Sequence, residues 1–436
     1  MNHKMKRVFD PLYGVTYLSD LEYELVMSPE IQRLRYVRLC NINSLLISGA
    51  SEISRFEHVL GVLRLAKEWV KSQHDLDINS EVEFISAALL HDFQTGPFGH
   101  SLQYVFEDNE SGEDFKHDDL AHGTYLKHHQ VTDANATFCG KPFLSPRILS
   151  SKWDNVVALI KGEGKNGPLI SGSMDLDNID NVIRLAFHVG VANSKDAEVA
   201  LDLARNLKVV NSELYCPESS ISSIKRWFDI RQRLYELLLL DWAEFSAKAM
   251  LTKSMELAVE FDLLGPDTWL KTDLELYNML EKDSVGDAQE IGNLIRRIKC
   301  GDLYFPVALV RSKKVSLYKH FSSIESKREL ERSLSIKIKR CIDFPSEIII
   351  HPILDVKKTQ RSVTIIEEKT KKSITIGEDS KQLLIGIFIP NEITSDVKLK
   401  KVNELIKDFL IEQGLPDISD IEDPLTDKKE VQLDLL

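Results

Sequence analysis

The chain has 436 residues, of which 43% are hydrophobic and 28% charged, and its formal net charge is −13. This length exceeds what one hydrophobic core usually spans, so we expect two domains, or one large helical domain with an appendage. The acidic balance argues against a dedicated nucleic-acid binder, because neutralising phosphates requires surplus Lys and Arg.

The N-terminus and the cysteines both indicate a cytoplasmic protein. Met1 to Arg7 is basic, but Val8 to Pro11 follows it in place of the apolar segment of a signal peptide. No apolar stretch is long enough to cross a bilayer, so we expect no membrane partner. The cysteines lie far apart and form no C-x-x-C pair, so we expect reduced thiols. They are Cys40, Cys139, Cys216, Cys300 and Cys341.

From about Leu21 to Trp242, apolar residues recur every three or four positions, which predicts helices. Ser28 followed by Pro29 is typical of a helix start. A second helix is predicted from about Phe56 and is apolar enough to be buried. A third is predicted from Glu81 to Leu90 and ends directly before His91 and Asp92.

Further along, the polar and acidic stretch from Phe106 to His122 predicts a surface loop. Lys161 to Gly167 is rich in glycine but lacks the order of a phosphate-binding loop, so we interpret it as a connecting turn. A long helical run is predicted from Ile224 to about Leu263.

The pattern changes beyond about Gly301, where four β-branched runs predict strands. The predicted fold class is therefore mainly α, with an all-helical core and a smaller C-terminal α+β lobe. The predicted domains are residues 1–300 (helical), 301–415 (α+β) and 416–436 (an acidic, flexible tail). The predicted strands are Ser346–Ile350, Ser362–Ile366, Ser373–Ile376 and Leu383–Ile389.

Potential metal ligands occur at three places inside otherwise apolar helical segments. These are His58, the adjacent pair His91 and Asp92, and Asp177. Burying an imidazole or a carboxylate is costly unless something pairs with it, and one divalent ion would pair with all four. Mixed nitrogen and oxygen ligation favours Mn, Fe, Co, Ni or Zn, with Mg as a further option. Phosphate ester or anhydride hydrolysis is the chemistry that fits such an ion.

Each of these signals has an ordinary alternative. A lone buried histidine is more often a satisfied core residue than a ligand, and an adjacent His-Asp pair at a helix end is common. The order of the motifs favours the metal interpretation. The motifs are Arg55–Val62, His91–Asp92 followed by Gly96–Phe98 and His100, and Asp175–Asp180.

This order resembles the HD superfamily of phosphohydrolases, and within it the SAM-and-HD-domain and deoxyguanosine triphosphohydrolases. The resemblance covers roughly the first two thirds of the chain. It implies His58, His91, Asp92 and Asp177 as metal ligands. It also implies a nucleotide substrate and a homo-oligomer.

The resemblance implies further roles around the ion. Arg55 would contact substrate phosphate, and His100 and Asn181 would also bind substrate. Asp180 is expected in the catalytic set and, with Asp175, would position the ligands. His117 would protonate the leaving group, although His122 competes for that role and a solvated loop residue is an equal alternative for His117.

The family's substrate-binding residues are largely replaced in this chain, which predicts altered specificity. A family histidine is replaced by Thr95. The sugar-recognising glutamine and aspartate correspond to Leu39 and Leu185, and a phosphate-binding lysine, tyrosine and arginine to Asn178, Asn181 and a position near Asp241.

Three functions remain open on the sequence alone. The first is a metal-dependent hydrolase of a nucleotide or related phosphate, and one reaction of this kind releases nucleoside and triphosphate. The second is a nucleotide-binding sensor with little turnover, and the third is a phosphodiesterase, which rests on fold analogy. The basic clusters at 311–314 and 337–340 are interpreted as solvated faces in preference to regulatory nucleotide sites.

Overall fold

The computed structural model describes residues 6–40, 46–50, 53–108, 137–211, 213–264, 266–340, 347–390, 396–422 and 424. Within these residues the protein is mainly α-helical, as predicted. The helices are α1 (Asp20–Val26), α2 (Pro29–Arg33), α3 (Arg55–Ser72), α4 (Ile78–Leu90), α5 (His100–Asp108), α6 (Ser145–Leu149), α7 (Trp153–Ile160), α8 (Leu176–His188), α9 (Ala197–Asn206), α10 (Ile221–Leu240), α11 (Trp242–Glu260), α12 (Asp273–Asp283), α13 (Gln289–Lys299), α14 (Tyr318–Ser322), α15 (Ile324–Lys339) and α16 (Asp396–Glu412).

The strands of the described residues form four sheets, two of them with two strands and two with four. They are β1 (Arg7–Asp10), β2 (Gly14–Tyr17), β3 (Thr137–Phe138), β4 (Lys141–Pro142), β5 (Lys208–Val210), β6 (Glu213–Cys216), β7 (Phe305–Ser312), β8 (Ile349–Val356), β9 (Val363–Glu367), β10 (Ser373–Ile376), β11 (Lys381–Ile389) and β12 (Ser419–Asp420).

The helices that carry the predicted ligands are capped by side chains that the sequence supplies. Ser54 accepts a hydrogen bond from the backbone nitrogen of Glu57 and so fixes the start of α3. Asp77 caps α4 in the same way, and Asp175 caps α8. These caps satisfy backbone donors that a helix start leaves unpaired, so the ligands lie on helices with defined ends.

The long helix predicted from Ile224 to Leu263 is two helices, α10 and α11. The break is at Asp241, whose carboxylate accepts hydrogen bonds from the backbone nitrogens of Ala243 and Glu244. An aspartate that caps a new helix also leaves the helical conformation itself, and apolar periodicity continues through such a break. The predicted loop from Phe106 to His122 also starts too early, because α5 continues to Asp108; residues 109–136 lie outside the described residues.

The expectation of an all-helical core is wrong, because strands occur before residue 300 as well. Strands β5 and β6 pair antiparallel, and β6 pairs parallel with β9, for example Leu214 with Ile365. The sheet order is β10-β9-β6-β5. Strands of three or four residues are too short to show a period of two, and the partner of β6 lies about 150 residues later in the chain.

A second four-stranded sheet has the order β12-β7-β11-β8. The predicted strand near 346–350 begins at Ile349, and the other three predicted strands are found within two residues of their expected ends. Strands β9 and β10 belong to the first sheet, so the strands beyond 301 are divided between two sheets. The predicted boundaries at residues 300 and 415 stay predictions.

Three apolar clusters fill the described interior. The first packs α3, α4, α8, α9 and α10 together. The second packs α5, α11, α12 and α13, and includes Phe388 of β11. The third packs α15 and α16 against β7 and β11. Among the described residues, no helix has the length and apolar character needed to span a membrane.

Candidate metal centre and its cavity

The predicted ligands come from three helices that pack around one point. His58 lies in the first turn of α3, and Asp177 lies in the first turn of α8. His91 is the C-cap of α4, and Asp92 follows it. The structure therefore brings together four residues that are up to 119 positions apart in the chain.

Their ligand atoms lie within a few ångströms of one another. The two histidine Nε2 atoms are 3.2 Å apart, and Asp177 Oδ1 lies 2.9 Å from His58 Nε2 and 3.6 Å from His91 Nε2. Asp92 Oδ2 is 3.9 Å from His58 Nε2 and 3.7 Å from His91 Nε2. His58, His91 and Asp92 form a compact cluster that could hold a metal ion, and Asp177 contacts both of its imidazoles.

The hydrogen bonds of the imidazoles fit a metal site. His58 Nδ1 lies 2.8 Å from Asp180 Oδ2, and His91 Nδ1 lies 2.9 Å from the carbonyl oxygen of Ala88. Both partners are acceptors, so each neutral ring carries its proton on Nδ1 and turns the lone pair of Nε2 toward the other ring. Two lone pairs at 3.2 Å would repel each other unless a proton or a metal ion lay between them. Ligand atoms about 2.0–2.2 Å from one ion would show such separations.

The electrostatics of the cluster agree with this need for positive charge. Burial alone would lower the pKa of His91, but Asp92 and Asp177 outweigh it and raise that pKa to about 10. Burial opposes ionisation of Asp177, yet the two histidines hold the pKa of this carboxyl well below its ordinary value. A divalent ion would replace protons in stabilising these carboxylates.

Behind His58, a buried ionic network fixes the orientation of its ring. Asp180, which is fully buried, accepts hydrogen bonds from Arg184 Nε at 2.9 Å and from Nη2 at 3.0 Å. Arg184 also contacts Glu57 at 2.6 Å and Asp10 at 2.8 Å. Asp180 therefore acts on the cluster through His58, in the position from which outer carboxylates orient metal-binding histidines.

Glycine at position 61 makes this network fit. A Cβ atom at Gly61 of α3 would collide with the side chains of Asp180 and Arg184. Because α3 has no side chain there, α8 can bring the carboxylate and the guanidinium directly behind His58. The glycine in the predicted motif is thus explained by packing.

Asp92 is held from both of its oxygens. Arg55 Nη1 lies 2.5 Å from Oδ2, and Thr95 Oγ1 donates a hydrogen bond to Oδ1 at 2.8 Å. Arg55, predicted to contact substrate phosphate, lines the same cavity as the cluster. Thr95, which the family resemblance predicts in place of a histidine, thus orients the Asp92 carboxylate through its hydroxyl.

The turn after Asp92 is anchored by two buried residues. Arg33 donates to the carbonyl oxygens of Phe93 and Thr95 at 3.2 and 2.6 Å. Asp273 accepts a hydrogen bond from the backbone nitrogen of Phe98 at 2.8 Å, where φ is 55°. These contacts fix a backbone that a non-glycine residue rarely adopts, and they hold Asp92 in place.

A cavity of about 420 Å³ opens beside the cluster. Asp92, Asp177 and His91 line it, and so do Asn181, whose buried Oδ1 has no hydrogen-bond partner in the described chain, and Tyr235 of α10. The volume suits a ligand of nucleotide size. Leu39 and Leu185, which the family resemblance predicts in place of sugar-recognising residues, also line the cavity.

Several predicted residues have no described surroundings. His117 and His122 lie outside the described residues, so the choice between them stays open. His100 begins α5, but its side chain is not described. Their predicted roles, like those of Asn181 and Arg55 toward substrate, stay predictions. Among the four described cysteines, none forms a disulfide.

Sequence reasoning missed two features of the site. The first is Arg184, which pairs with Asp180 four residues earlier on an apolar helix face; that spacing was the available signal. The second is a group of basic side chains in the same cavity, namely Arg231, Lys248, Lys357, Lys358 and Arg361. They come from parts of the chain that carry no recognisable motif.

Comparison with known proteins confirms the resemblance to HD-type phosphohydrolases of the SAM-and-HD-domain branch. Deoxynucleoside triphosphate triphosphohydrolase SAMHD1 of Bos taurus is 28% identical over 265 residues, which cover 53% of this chain and 44% of that protein. The SAMHD1 homolog of Dictyostelium discoideum is 22% identical over 320 residues, which cover 69% of this chain and 59% of that protein. No protein-family model matches the chain.

Another relative has no described activity. The uncharacterized protein YwfO of Bacillus subtilis (strain 168) is 27% identical over 263 residues, or 58% of this chain and 56% of that protein. The chain spans about half the length of the curated relatives it matches. Their names therefore indicate a class of chemistry, and the activity of this chain is a matter for proposal.

Proposed function

We propose that the protein is a metal-dependent HD-type phosphohydrolase that acts on a nucleotide. The observation that carries this proposal is the convergence of His58, His91, Asp92 and Asp177 at the edge of the 420 Å³ cavity. The similarity to deoxynucleoside triphosphate triphosphohydrolases supports the same class of reaction.

The four ligands would hold one divalent ion, such as Mn, Fe, Co, Ni, Zn or Mg. When bound, it would supply a Lewis acid that lowers the pKa of water and polarises a phosphoryl oxygen. Asp180 keeps the Nδ1 proton of His58 and so leaves Nε2 free to ligate. Thr95 and Arg55 hold the Asp92 carboxylate in one orientation.

The remaining residues of the cavity would position the substrate. Arg55 borders the cavity next to Asp92, so its guanidinium could meet a phosphoryl oxygen near the ion. The amide of Asn181 offers an unpaired buried oxygen to a hydroxyl or amino group of the ligand. Apolar Leu39 and Leu185 would not discriminate strongly between sugars, so we expect specificity to differ from that of the relatives.

The test is a product assay on the purified full chain with Mn, using deoxynucleoside and ribonucleoside triphosphates, monophosphates and a phosphodiester. Nucleoside plus inorganic triphosphate is the expected product. The His91→Ala/Asp92→Ala variant should lose Mn binding and at least about a hundredfold in rate, more than changes behind the ligands usually cost.

The chain offers a matched control, since the exposed dipeptide His74 and Asp75 has the same composition. The His74→Ala/Asp75→Ala variant should keep both Mn binding and rate. Cleavage of the diester alone would redirect the proposal to a phosphodiesterase. Nucleotide binding without product, in a protein that holds Mn, would reject the hydrolase and favour a sensor.

A further inference from the structure

A smaller cavity of about 30 Å³ lies between α5, α11, α14 and β8. Its lining includes Thr252 and Glu256 of α11, Lys327 of α15 and His351 of β8. None of these four residues lines the larger cavity beside the metal cluster. Lys248 is among the residues that border both cavities. The small cavity is therefore a distinct space that adjoins the large one at Lys248.

Lys248 carries a buried positive charge that the described chain does not pair. The residue is 9% exposed, and among the described residues it forms no hydrogen bond or ion pair. Its Nζ lies 6.0 Å from the centre of the Tyr104 ring, at the outer limit of a cation–π contact. An ammonium group that is buried without a partner destabilises a folded chain. An anion in the small cavity would remove that cost.

His351 presents a second unused polar group to the same cavity. It is 5% exposed, and its Nε2 is buried with no hydrogen-bond partner in the described chain. Burial, together with the charges of Lys248, Lys327 and Lys358, holds the pKa of this imidazole well below its ordinary value. The ring is therefore neutral, and the tautomer with its proton on Nε2 can donate one hydrogen bond to a ligand in the cavity.

The other charged groups around the small cavity leave it positive. The ammonium of Lys358 lies 4.9 Å from the centre of the Tyr104 ring, and its charge also acts on Lys248. The carboxylate in the described lining is that of Glu256, which is bonded to Lys327. A water molecule could accept hydrogen bonds in the cavity, but it would leave this charge unbalanced. The surroundings therefore favour an anion over water.

The size of the cavity determines the class of anion. A space of roughly 10–15 Å³ holds one water-sized particle. The small cavity, at about 30 Å³, therefore admits a monoatomic ion, alone or with one water molecule. A phosphate group, with four oxygens around its phosphorus atom, needs more room than this. The small cavity thus differs in ligand class from the nucleotide-sized cavity beside it.

We propose that the small cavity binds one chloride ion, held by the ammonium of Lys248 and the Nε2–H of His351. The ion would connect α11 to β8, two elements that already pack together. Because Lys248 also borders the large cavity, the chloride would balance a charge that otherwise acts on any ligand there. The site would bind its ion whether or not the protein hydrolyses nucleotides.

The test is urea denaturation of the full chain at about pH 6 over a series of chloride concentrations. Gluconate replaces chloride, so that the ionic strength stays constant. Burial and Lys358 lower the pKa of Lys248 to about 7, so its ammonium form predominates at pH 6. A ligand that binds only the folded chain stabilises it by RT ln(1 + [L]/Kd), so the series gives an apparent Kd for chloride. The wild type should gain stability as chloride replaces gluconate.

Lys248→Met should weaken chloride binding at least about tenfold, the effect of one lost charge-assisted hydrogen bond. His351→Phe keeps an aromatic ring but removes the donor, and it should weaken chloride binding about fivefold, the effect of one neutral hydrogen bond. Lys225→Met, which removes an exposed charge from α10, is the control and should change the Kd less than twofold.

Two results would overturn the proposed chloride site. If chloride gives the wild type no stability at constant ionic strength, the cavity holds water. If Lys248→Met and His351→Phe both keep the Kd of the wild type, the chloride effect arises elsewhere on the chain. Crystals of the wild type grown with bromide give an answer that does not depend on the variants folding. An anomalous peak within hydrogen-bond distance of Lys248 Nζ and His351 Nε2 would support the site, and a cavity without that peak would reject it.

Discussion

The two charged regions of the cavity are built in opposite ways. At the metal cluster, each cation already has carboxylate partners; Arg184 alone contacts Asp10, Glu57 and Asp180. The second region, which we call the cationic wall, consists of the basic side chains of Arg231, Lys248, Lys358 and Arg361 in the same cavity. Lys248 has no acidic partner among the described residues, because the nearby carboxylate of Glu256 is bonded to Lys327. One region is internally paired, and the other presents unbalanced charge.

In the first region the folded chain itself pairs the buried charges, whereas in the second only a bound ligand could pair them. Paired charges behind His58 hold the ligands in place, so disrupting them should cost stability. Unpaired charges in the wall destabilise the free protein. Removing one of them should therefore increase the stability of the protein and weaken its binding of an anionic ligand, a trade-off that is common at functional sites.

The largest expected effect is on stability, from Arg184→Met. The substitution leaves Asp10, Glu57 and Asp180 without their shared cation in a region where Arg184 is fully buried. Breaking a buried pair in this way costs about 3–5 kcal/mol of unfolding free energy. Urea denaturation of the variant and the wild type would measure it.

Arg226→Met is the matched control for this change. Arg226 also pairs with an aspartate, Asp196, at 2.8 Å, but its side chain is 39% exposed. Asp196 is only 8% exposed, but the exposed guanidinium keeps this pair partly screened by solvent, so it contributes about 1 kcal/mol or less. If the two variants lose the same unfolding free energy, the network behind His58 contributes no more to stability than a partly exposed ion pair.

Lys248→Met should have the opposite sign and should depend on pH. Burial, with Lys358 beside it, lowers the pKa of Lys248 from 10.5 to about 7. Between these values the unfolded chain binds more protons than the folded chain, so the wild type gains stability as pH rises from 7 to 10.5. At pH 6 the variant should be more stable by roughly 2–4 kcal/mol, less than the full shift implies at 1.36 kcal/mol per pKa unit.

The measurement is denaturation of both proteins at about pH 6 and pH 9.5 in buffer without phosphate or chloride. The difference in unfolding free energy between the variant and the wild type should shrink at the higher pH. Lys225→Met should show no such difference. Adding chloride at pH 6 and constant ionic strength should stabilise the wild type and narrow its difference from Lys248→Met. A variant that is less stable at pH 6 would show that the Lys248 charge is structurally compensated.

The two regions also differ in how far the sequence could predict them. The metal-cluster residues lie in short motifs, such as His91 followed by Asp92 at the end of an apolar helix, and the helices there are strongly periodic. Their proximity followed from the family resemblance rather than from spacing. The mainly helical fold was predicted, whereas the β6–β9 pairing was not, because Leu214 and Ile365 lie in short strands far apart in the chain.

The cationic wall could not be predicted from the sequence. Lys248 sits in a helix whose faces are almost all buried, so its pattern does not separate an unpaired lysine from a paired one such as Lys327. Lys358 and Arg361 follow a strand over 100 residues later, and only the tertiary fold brings them to Lys248. The loss of family cations at Asn178 and near Asp241 was visible in the sequence, whereas the basic side chains that the fold brings to the cavity from another part of the chain were not.

A smaller effect is expected from Asp180→Asn, on metal affinity. The asparagine keeps the shape of the side chain but removes the charge that faces His58 Nδ1 at 2.8 Å. Changes of this kind typically lower metal affinity about 10–100-fold. A competition titration with Mn or Zn would measure it, with the exposed Asp229→Asn of α10 as the control. An affinity within threefold of wild type would show that Asp180 serves Arg184 rather than the ligand.

The smallest effect should come from Thr95→Val, which removes one hydrogen bond to Asp92 Oδ1 at 2.8 Å while keeping the side-chain shape. Because Arg55 still holds Oδ2, the carboxylate loses only part of its orientation. One such hydrogen bond contributes about 1 kcal/mol, which corresponds to roughly fivefold in metal affinity. Thr95→Ser retains the hydroxyl and should bind metal like the wild type. If valine and serine behave alike in the titration, Thr95 does not orient Asp92, and Arg55 alone accounts for the position of that ligand.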